Sequence, residues 1–204
     1  MNGGGPDDAR VQVLERAAAH DGFFRLEIVT LRHRLHEGGW TPALKRELLE
    51  RGRTAAVLPY DPVRDTVVLV EQFRIGAHAA GLEPWLLEAV AGTMEAGEAP
   101  EDVVRREARE EADCRITDLY PIGTFLLSPG ACSEACAMFL GRTDSRGLGG
   151  VHGLAAEGED IRVVVLPAAD AIARVRDGAL VSAYGAIPLL WLAANRDAVR
   201  ARWG

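Results

Sequence analysis

A chain of 204 residues with 48% hydrophobic content can hold one good-sized globular domain and a small second one. Its formal net charge of -7 argues against a nucleic-acid-binding surface, and no run of about 18 apolar residues indicates a membrane-spanning helix. Three cysteines without a CxxC pair do not suggest a disulfide framework, and the N-terminus lacks the pattern of a signal peptide, so a cytoplasmic location is expected.

Residues 1–48 are predicted to form a small antiparallel β domain. After a glycine-rich start, the segment from Asp21 alternates apolar and polar residues, with Phe24 and Ile28 on one side. This alternation is typical of antiparallel strands with one solvated face. The run ALKRELLERG, which contains Arg46, is interpreted as helical. A domain this small is not expected to be stable alone, so it should pack against the main domain or a second subunit.

The main domain is predicted to span residues 49–204. Strands are predicted at residues 54–60, 66–72, 85–92, 119–130, 133–143 and 161–167, the first two forming a hairpin. A short helix at residues 168–178 precedes a C-terminal helix at residues 182–203, whose predicted apolar face contains Ile187, Leu190, Trp191 and Val199. Residues 144–160 form a long glycine-rich loop, and loops of this length are often functional.

The stretch GTMEAGEAPEDVVRREAREEADC, residues 92–114, carries the chemistry. Its second half is predicted to be a helix, because Pro100 suits a first helical position and apolar residues recur at helical spacing. Glu107, Glu110 and Glu111 then project from one helix face as close neighbours. Clustered oxygen ligands suit Mg²⁺ or Mn²⁺, and a solvated, salt-bridged helix face is the alternative interpretation.

The spacing of this stretch resembles the signature of the Nudix hydrolases, GX5EX7REUXEEXGU, where U is an aliphatic residue. The residues in register over 23 positions are Gly92, Glu98, Arg106, Glu107, Glu110 and Glu111. Asp113 stands where the family has glycine. A residue just past a helix often takes the left-handed conformation, which Asp tolerates better than most residues. We therefore expect an intact site, at a local cost of up to about 1 to 2 kcal/mol.

The resemblance implies an α/β (α+β) fold, a Nudix α/β/α sandwich with a mixed sheet, beside the small N-terminal antiparallel β domain. It also implies two or three Mg²⁺ ions per site, with Mn²⁺ possible. Glu107 and Glu111 are the leading ligands, Glu110 is a supporting ligand, and the carbonyl of Ala91 is a backbone ligand. Glu98 and Arg106 would hold these ligands in place.

The resemblance extends from about Phe23 to Trp203 and is closest to the ADP-ribose pyrophosphatase subgroup. Pro129 lies sixteen residues after Asp113, a spacing similar to that subgroup. The implied reaction is hydrolysis of ADP-ribose to AMP and ribose 5-phosphate. Members place the catalytic glutamate on a later loop, where Glu157 matches best and Glu159 is the alternative. Without the resemblance, both would be read as solvated loop charges.

The resemblance also implies a substrate site and an assembly. Arg74 and Arg46 match substrate-binding arginines, since arginine suits diphosphate recognition, although ordinary salt bridges are an alternative for each. Glu134 is a candidate contact for the ribose or the substrate loop. Members are typically homodimers with exchanged N-terminal sheets, so Phe23 or Phe24 would reach the partner's adenine pocket.

Three other functions stay open at this point. Another nucleoside diphosphate sugar or a dinucleotide would use the same metal site. A Nudix-fold module that binds ADP-ribose without cleaving it would explain Asp113, but the intact Arg106-Glu107 and Glu110-Glu111 pairs argue against it. A purely structural acidic helix would predict that Mg²⁺ leaves thermal stability unchanged. No nucleic-acid or membrane partner is expected.

Overall fold

The computed structural model describes residues 9–154 and 158–204, and this part of the chain separates into two compact units. The first unit comprises the described part of Met1–Gly52 together with Leu126–Glu134, and the second comprises Arg53–Phe125 and Ala135–Gly204. The division into domains at residues 1–48 and 49–204 stays a prediction. A later segment of the chain, which contains Pro129, groups with the first unit.

The first unit is built on a three-stranded antiparallel sheet. Its strands are β1 (Val11–Asp21), β2 (Arg25–His33) and β3 (Leu44–Glu50), in the order β1-β2-β3. The later segment attaches to β3 through the backbone of Leu49, whose N–H donates to the carbonyl of Ala131 at 2.8 Å and whose carbonyl accepts the N–H of Ser133 at 3.0 Å. The sequence predicted antiparallel β structure from Asp21 onward, but it did not predict β1, which precedes that segment.

The predicted helix around Arg46 is wrong. Arg46 lies in strand β3, where it stands opposite Val29 of β2. Leucine, lysine, arginine and glutamate all favour helices on their own, but this preference is weak and is routinely overridden by tertiary pairing. Here β2 supplies the backbone hydrogen bonds that the segment uses instead.

The second unit contains a mixed eight-stranded sheet. Its strands are β4 (Arg53–Asp61), β5 (Thr66–Phe73), β6 (Trp85–Glu88), β7 (Val90–Thr93), β8 (Asp118–Leu126), β9 (Ala135–Arg142), β10 (Val151–His152) and β11 (Ile161–Pro167). The order along the sheet is β10-β11-β5-β4-β9-β8, with β6 paired to β5 and β7 paired to β4. The β4–β9 pair is parallel, and β4–β5, β4–β7, β5–β6, β5–β11 and β10–β11 are antiparallel.

Helices cover both faces of this sheet. The helices of the second unit are α1 (Ile75–Ala79), α2 (Pro100–Ala112), α3 (Ala168–Arg176) and α4 (Ala183–Trp203). Strand β5 shows the two faces, since Val68 and Val70 pack in one core with α2, whereas Val67 and Leu69 pack in another with α3 and α4. This is the α/β/α sandwich with a mixed sheet that the sequence predicted.

One predicted strand is in fact two. The segment from Trp85 to Thr93 is interrupted at Ala89, so that β6 pairs with β5 and β7 pairs with β4. The two halves are separate because the hairpin strands β4 and β5 pair with each other only at the turn end, at Tyr60–Val67 and Asp61–Thr66, and diverge beyond it. Strand β7 is thereby held against β4, and it is the last strand before the acidic helix α2.

The buried face of helix α4 overlaps only in part with the predicted apolar face. Leu189, Leu192, Val199 and Trp203 are buried, whereas Leu190 is 48% exposed. Of the predicted apolar face, Val199 is fully enclosed. Within residues 9–154 and 158–204, none of the helices combines the length and the apolar content that a membrane crossing needs.

Candidate active site

Helix α2 carries the predicted carboxylates, and its core packing decides where they point. It begins with Pro100, which has no N–H to leave unpaired, and has acidic residues in its first turn. The buried apolar residues on its core face are Val103, Val104, Ala108 and Ala112. Glu111 lies next to this face and is only 4% exposed, and the Glu107 side chain is 15% exposed. The two glutamates therefore lie at the edge of the core, while Glu110 is more accessible.

The residue after α2 has the backbone conformation expected of the glycine that the motif has at this position. Asp113 adopts the left-handed conformation, with φ 47° and ψ 32°. The N–H of Cys114 then returns to the carbonyl of Ala108 at 2.8 Å, and the Cys114 side chain is buried in the core. The expectation that Asp would take this conformation is confirmed, and α2 keeps its full length through Ala112.

Strand β7 and helix α2 meet at Glu107 and Glu111, the two most buried carboxylates of the motif. The Glu107 side chain packs against the backbone of Gly92, in the space that a β-carbon at position 92 would occupy. The N–H of Ala91 donates to Oε2 of Glu111 at 3.3 Å. Ala91, whose carbonyl is the predicted backbone ligand, therefore lies against Glu111, and both leading carboxylates contact β7.

Arg106 connects the other motif residues. Its Nη1 donates to Oε1 of Glu107 at 2.8 Å and to Oε2 of Glu110 at 3.4 Å, and its Nη2 lies 3.9 Å from Oε2 of Glu98. The same Glu98 oxygen accepts the N–H of Glu95 at 2.7 Å. Arg106 thus hydrogen-bonds two of the motif carboxylates and forms an ion pair with a third, and its role in holding the metal ligands stays a prediction.

Burial and the neighbouring carboxylates raise the pKa values of the two most enclosed glutamates of the motif, despite the nearby arginines. Burial, together with the charge of Glu107, raises the pKa of Glu111 to about 8, although the Ala91 N–H and the charge of Arg74 act in the opposite direction. Burial also raises the pKa of Glu107, with Arg106 opposing the shift and Glu110 adding to it. The charge of Glu159 raises both pKa values further.

The donor set fits a divalent cation. Carboxylate oxygens and a nearby backbone segment are the ligand types that Mg²⁺ and Mn²⁺ prefer, and a cation would remove the cost of ionising Glu111. Among the residues that the structure describes, no three His, Cys, Asp or Glu side chains are already gathered around a common point. The arrangement therefore supplies charge and oxygen donors without a preformed cage.

The loop that precedes β11 carries the two candidates for the catalytic base. The carboxylate of Glu159 accepts the N–H of Leu154 at 2.9 Å, and its own N–H donates to the carbonyl of Leu154 at 3.3 Å. Gly153, at φ 103°, leaves room for the Glu159 side chain. Glu159 is thus bonded to Leu154 through both its side chain and its backbone. Glu157 lies outside the described residues.

Arg74 precedes helix α1 and takes part in an ion pair. Its Nε donates to Oε2 of Glu88 at 2.7 Å, and its side chain is 41% exposed. The salt bridge that the sequence left as an alternative is therefore present, and the charge of Arg74 also acts on Glu111. Sequence reasoning missed Glu88. Its only signal was a single acidic residue at the end of the apolar run WLLE.

The remaining candidates belong to the first unit. Nη1 of Arg46 donates to the carbonyl of Lys45 at 3.0 Å. Phe23 is 94% exposed and meets the ring of Phe24 edge-on, with ring centroids 4.7 Å apart. Glu134 ends the segment that attaches to β3. Substrate roles for Arg46, Phe23 and Glu134 stay predictions.

Comparisons with known proteins agree with the motif. The family model described as a NUDIX domain matches residues 50–181. The chain is 44% identical over 193 residues to an ADP-ribose pyrophosphatase of Escherichia coli K12, covering 95% of this chain and 92% of the relative. It is 39% identical over 196 residues to an ADP-ribose pyrophosphatase of Haemophilus influenzae, covering 95% and 90%.

A solved structure shares the fold. The crystal structure of an ADP compounds hydrolase superposes with a TM-score of 0.67, covering 91% of this chain and 96% of that chain. The sequence identity between the two is 20%, so this likeness concerns the fold alone.

Proposed function

The chain belongs to the Nudix hydrolase family, and we propose that it hydrolyses the diphosphate bond of ADP-ribose to AMP and ribose 5-phosphate. The observation that carries the chemistry is the meeting of Glu107 and Glu111 with the backbone of β7, where buried carboxylates call for a cation. The substrate is supported by relatives named ADP-ribose pyrophosphatase, whose likeness spans nearly the whole chain rather than the motif alone.

The cations of this proposal are Mg²⁺, two or three per site, with Mn²⁺ able to replace them. Glu107 and Glu111 would hold them, with Glu110 in support and the carbonyl of Ala91 as a backbone ligand. When bound, divalent cations offset the negative charge of the diphosphate and of the oxygens that attack and leave. An acidic chain thereby accommodates an anionic substrate.

The protein's own residues orient the carboxylates of the site and accept the proton of the attacking water. Arg106 fixes Glu107 and Glu110 through hydrogen bonds, so their carboxylates keep one orientation. In the reaction, a water oxygen bonds to one phosphorus while the bond from that phosphorus to the bridging oxygen breaks. We assign the proton of this water to Glu157. Glu159 is the less suitable base, because its carboxylate already accepts the N–H of Leu154.

The substrate contacts and the assembly are part of the same proposal. Arg74 and Arg46 would bind the diphosphate, Glu134 the ribose, and Phe23 the adenine of the partner's site in a homodimer with exchanged N-terminal domains. The exposed apolar side chains of β1 support such an assembly, since Val11, Val13 and Leu14 are 43%, 49% and 54% exposed in the single chain.

Release of AMP from ADP-ribose, with and without Mg²⁺, tests the proposal. Wild type is compared with Glu111→Gln, and the panel includes a sugar nucleotide and a dinucleotide. Metal-dependent release by wild type, with ADP-ribose preferred, is the expected result. Preference for another nucleoside diphosphate would mean that the proposed substrate is wrong and that the proposed mechanism still applies. Binding of ADP-ribose without cleavage of any compound would show that the protein is a binding module and not an enzyme.

A further inference from the structure

A buried carboxylate that the mechanism does not use lies three residues before Ala91. Glu88, the last residue of β6, is 4% exposed. Its Oε2 accepts the Nε–H of Arg74 at 2.7 Å, and its Oε1 accepts the hydroxyl of Ser182 at 2.5 Å. An enclosed carboxylate is costly unless it is paired and hydrogen-bonded, and both oxygens of Glu88 are engaged.

The fold brings Ser182 to this carboxylate through a close contact between α4 and β6. A β-carbon at Gly185 would lie 3.1 Å from the carbonyl oxygen of Leu87 and 2.8 Å from a methyl carbon of Leu180, so the first turn of α4 packs directly on β6. A serine that precedes a helix usually accepts an N–H of its own first turn. Among the described residues Ser182 makes no such bond, and its hydroxyl serves Glu88 instead.

Arg74 is held at both its backbone and its side chain. Its N–H donates to the carbonyl of Pro84 at 2.8 Å, and Glu88 engages the guanidinium at Nε. The guanidinium is a planar fork with further N–H donors on its two Nη groups, and the Nε bond to Glu88 does not use these donors. The ion pair adjoins the acidic site along the chain, because Glu88 lies three residues before Ala91, whose N–H donates to Oε2 of Glu111 at 3.3 Å.

We propose that Glu88 is a positioning residue: supported by Ser182, it holds Arg74 at Nε so that the Nη groups face the diphosphate of the substrate beside Glu111. This inference rests on the proposed function for the identity of the substrate. It requires only that the ligand carry a diphosphate, because two parallel N–H donors match phosphate oxygens.

A double-mutant cycle tests the proposal, using Glu88→Gln, Arg74→Ala and the two combined. Glutamine keeps the shape and can still accept the Ser182 hydroxyl, but it loses the charge that holds Arg74. We expect Glu88→Gln to raise KM for ADP-ribose roughly tenfold to a hundredfold, the factor allowed by loss of a charge-assisted hydrogen bond, with kcat within about threefold of wild type. The double variant should match Arg74→Ala, since Glu88 acts through Arg74.

The matched control is Glu71→Gln. Like Glu88, Glu71 pairs with an arginine, since its Oε2 accepts the Nε–H of Arg162 from the neighbouring strand at 2.8 Å. This variant should leave KM and kcat unchanged. Full additivity of Glu88→Gln and Arg74→Ala would overturn the proposal. So would a fall in kcat at constant KM, which is the result of a merely structural role that lowers the folded fraction.

A measurement on the protein alone separates this inference from the proposed function. The Nε–H signal of Arg74 is assigned because it is absent from Arg74→Lys. Its rate of exchange with water should rise at least tenfold in Glu88→Gln. An unchanged rate refutes the positioning role whatever the substrate. If wild type does not cleave ADP-ribose, the cycle is measured as affinity for inorganic pyrophosphate, and equal affinity of Glu88→Gln and wild type refutes it as well.

Discussion

The side chain of Glu107 occupies the space in which a β-carbon of Gly92 would lie. The glycine that opens the motif is thus spatially required by the glutamate that follows fifteen positions later. This contact joins strand β7 to helix α2. It leads to a specific prediction for a substitution at position 92.

Replacing Gly92 with alanine should displace the Glu107 carboxylate and remove most activity. We expect kcat/KM to fall about a hundredfold, because a shift of about 1 Å in a positioned group costs that much. Gly76→Ala is the control, since among the described residues nothing lies within 4 Å of a β-carbon built there. That variant should be fully active and slightly more stable in urea, so equal activity of both variants would contradict the role given to Gly92.

Glu111→Gln should abolish turnover while stabilising the metal-free protein at high pH. Burial and Glu107 raise the folded-state pKa of Glu111 from 4.5 to about 8, so the fold favours the protonated acid. Protonated Glu111 thus contributes to the free energy of unfolding, and this contribution is fully present below about pH 4.5 and is lost as the pH rises through about 8. A neutral glutamine avoids this loss, which is on the order of a few kcal/mol at about 1.4 kcal/mol per pKa unit.

Thermal unfolding with EDTA at pH 5 and at pH 8.5 measures this difference. The advantage of Glu111→Gln over wild type should be larger at the higher pH. Adding Mg²⁺ should raise the midpoint of wild type and leave that of the variant nearly unchanged. Equal stabilisation of both proteins by Mg²⁺ would show that Glu111 is not a ligand.

Asp61→Asn should destabilise the second unit at neutral pH. Burial alone would raise the pKa of Asp61, but the N–H groups of Ser145 and Arg64 and the side chains of both residues donate to its carboxylate and hold that pKa well below its usual range. Breaking such a buried pair costs about 3 kcal/mol. This stability is present above about pH 4 and is lost as the pH falls further.

Urea unfolding at pH 7 and at pH 3 checks the prediction for Asp61. The gap between Asp61→Asn and wild type should be wide at pH 7 and narrower at pH 3. Asp144→Asn is the control, because Asp144 belongs to the same ion cluster but is half exposed, and its effect should be much smaller. A constant gap at both pH values would show that the carboxylate is not ionised in the fold.

Asp113→Gly should stabilise the protein without changing its activity. Asp113 holds φ 47°, a conformation that costs a residue with a side chain about 1 kcal/mol and costs glycine almost nothing. Asp113→Ala should be less stable than wild type, since alanine lacks a side chain that tolerates this conformation. Chemical denaturation orders the three proteins. An inactive Asp113→Gly would mean that the aspartate carboxylate itself takes part in the reaction.

The two loop glutamates should respond differently to the same substitution. Glu157→Gln removes the proposed base, so kcat should fall at least a hundredfold with little change in substrate binding. Glu159→Gln keeps an oxygen that can accept the N–H of Leu154, so its loss of kcat should be at least tenfold smaller. Single-turnover rates and calorimetric binding of ADP-ribose measure both. A larger loss in Glu159→Gln would reverse the assignment.

Local patterns were enough to predict α2 and the hairpin strands, and the sandwich class followed from the resemblance of the motif to the Nudix signature. Pro100 and the apolar repeat define α2 without reference to the rest of the chain. Features that depend on distant partners were not predictable in this way. The segment around Arg46 has helix-forming residues and becomes a strand because β2 lies beside it, and the break at Ala89 exists because β4 and β5 diverge.

The same distinction applies to the site. The motif predicted Glu107 and Glu111, whose spacing along one helix already makes them neighbours. It did not predict Glu88, whose partners Arg74 and Ser182 lie 14 and 94 positions away. A charged residue that ends an apolar strand is recognisable in sequence, but its partner is visible only after folding.

The left-handed turn at Asp113 has a consequence for how broadly the family should be defined. At this place the fold demands a backbone conformation rather than a residue type, and Asp meets the demand without shortening α2. Asn, which shares this tolerance, should meet it too. Chains with Asp or Asn two positions after the paired glutamates therefore belong among the candidate hydrolases, and a definition that insists on glycine would leave them out.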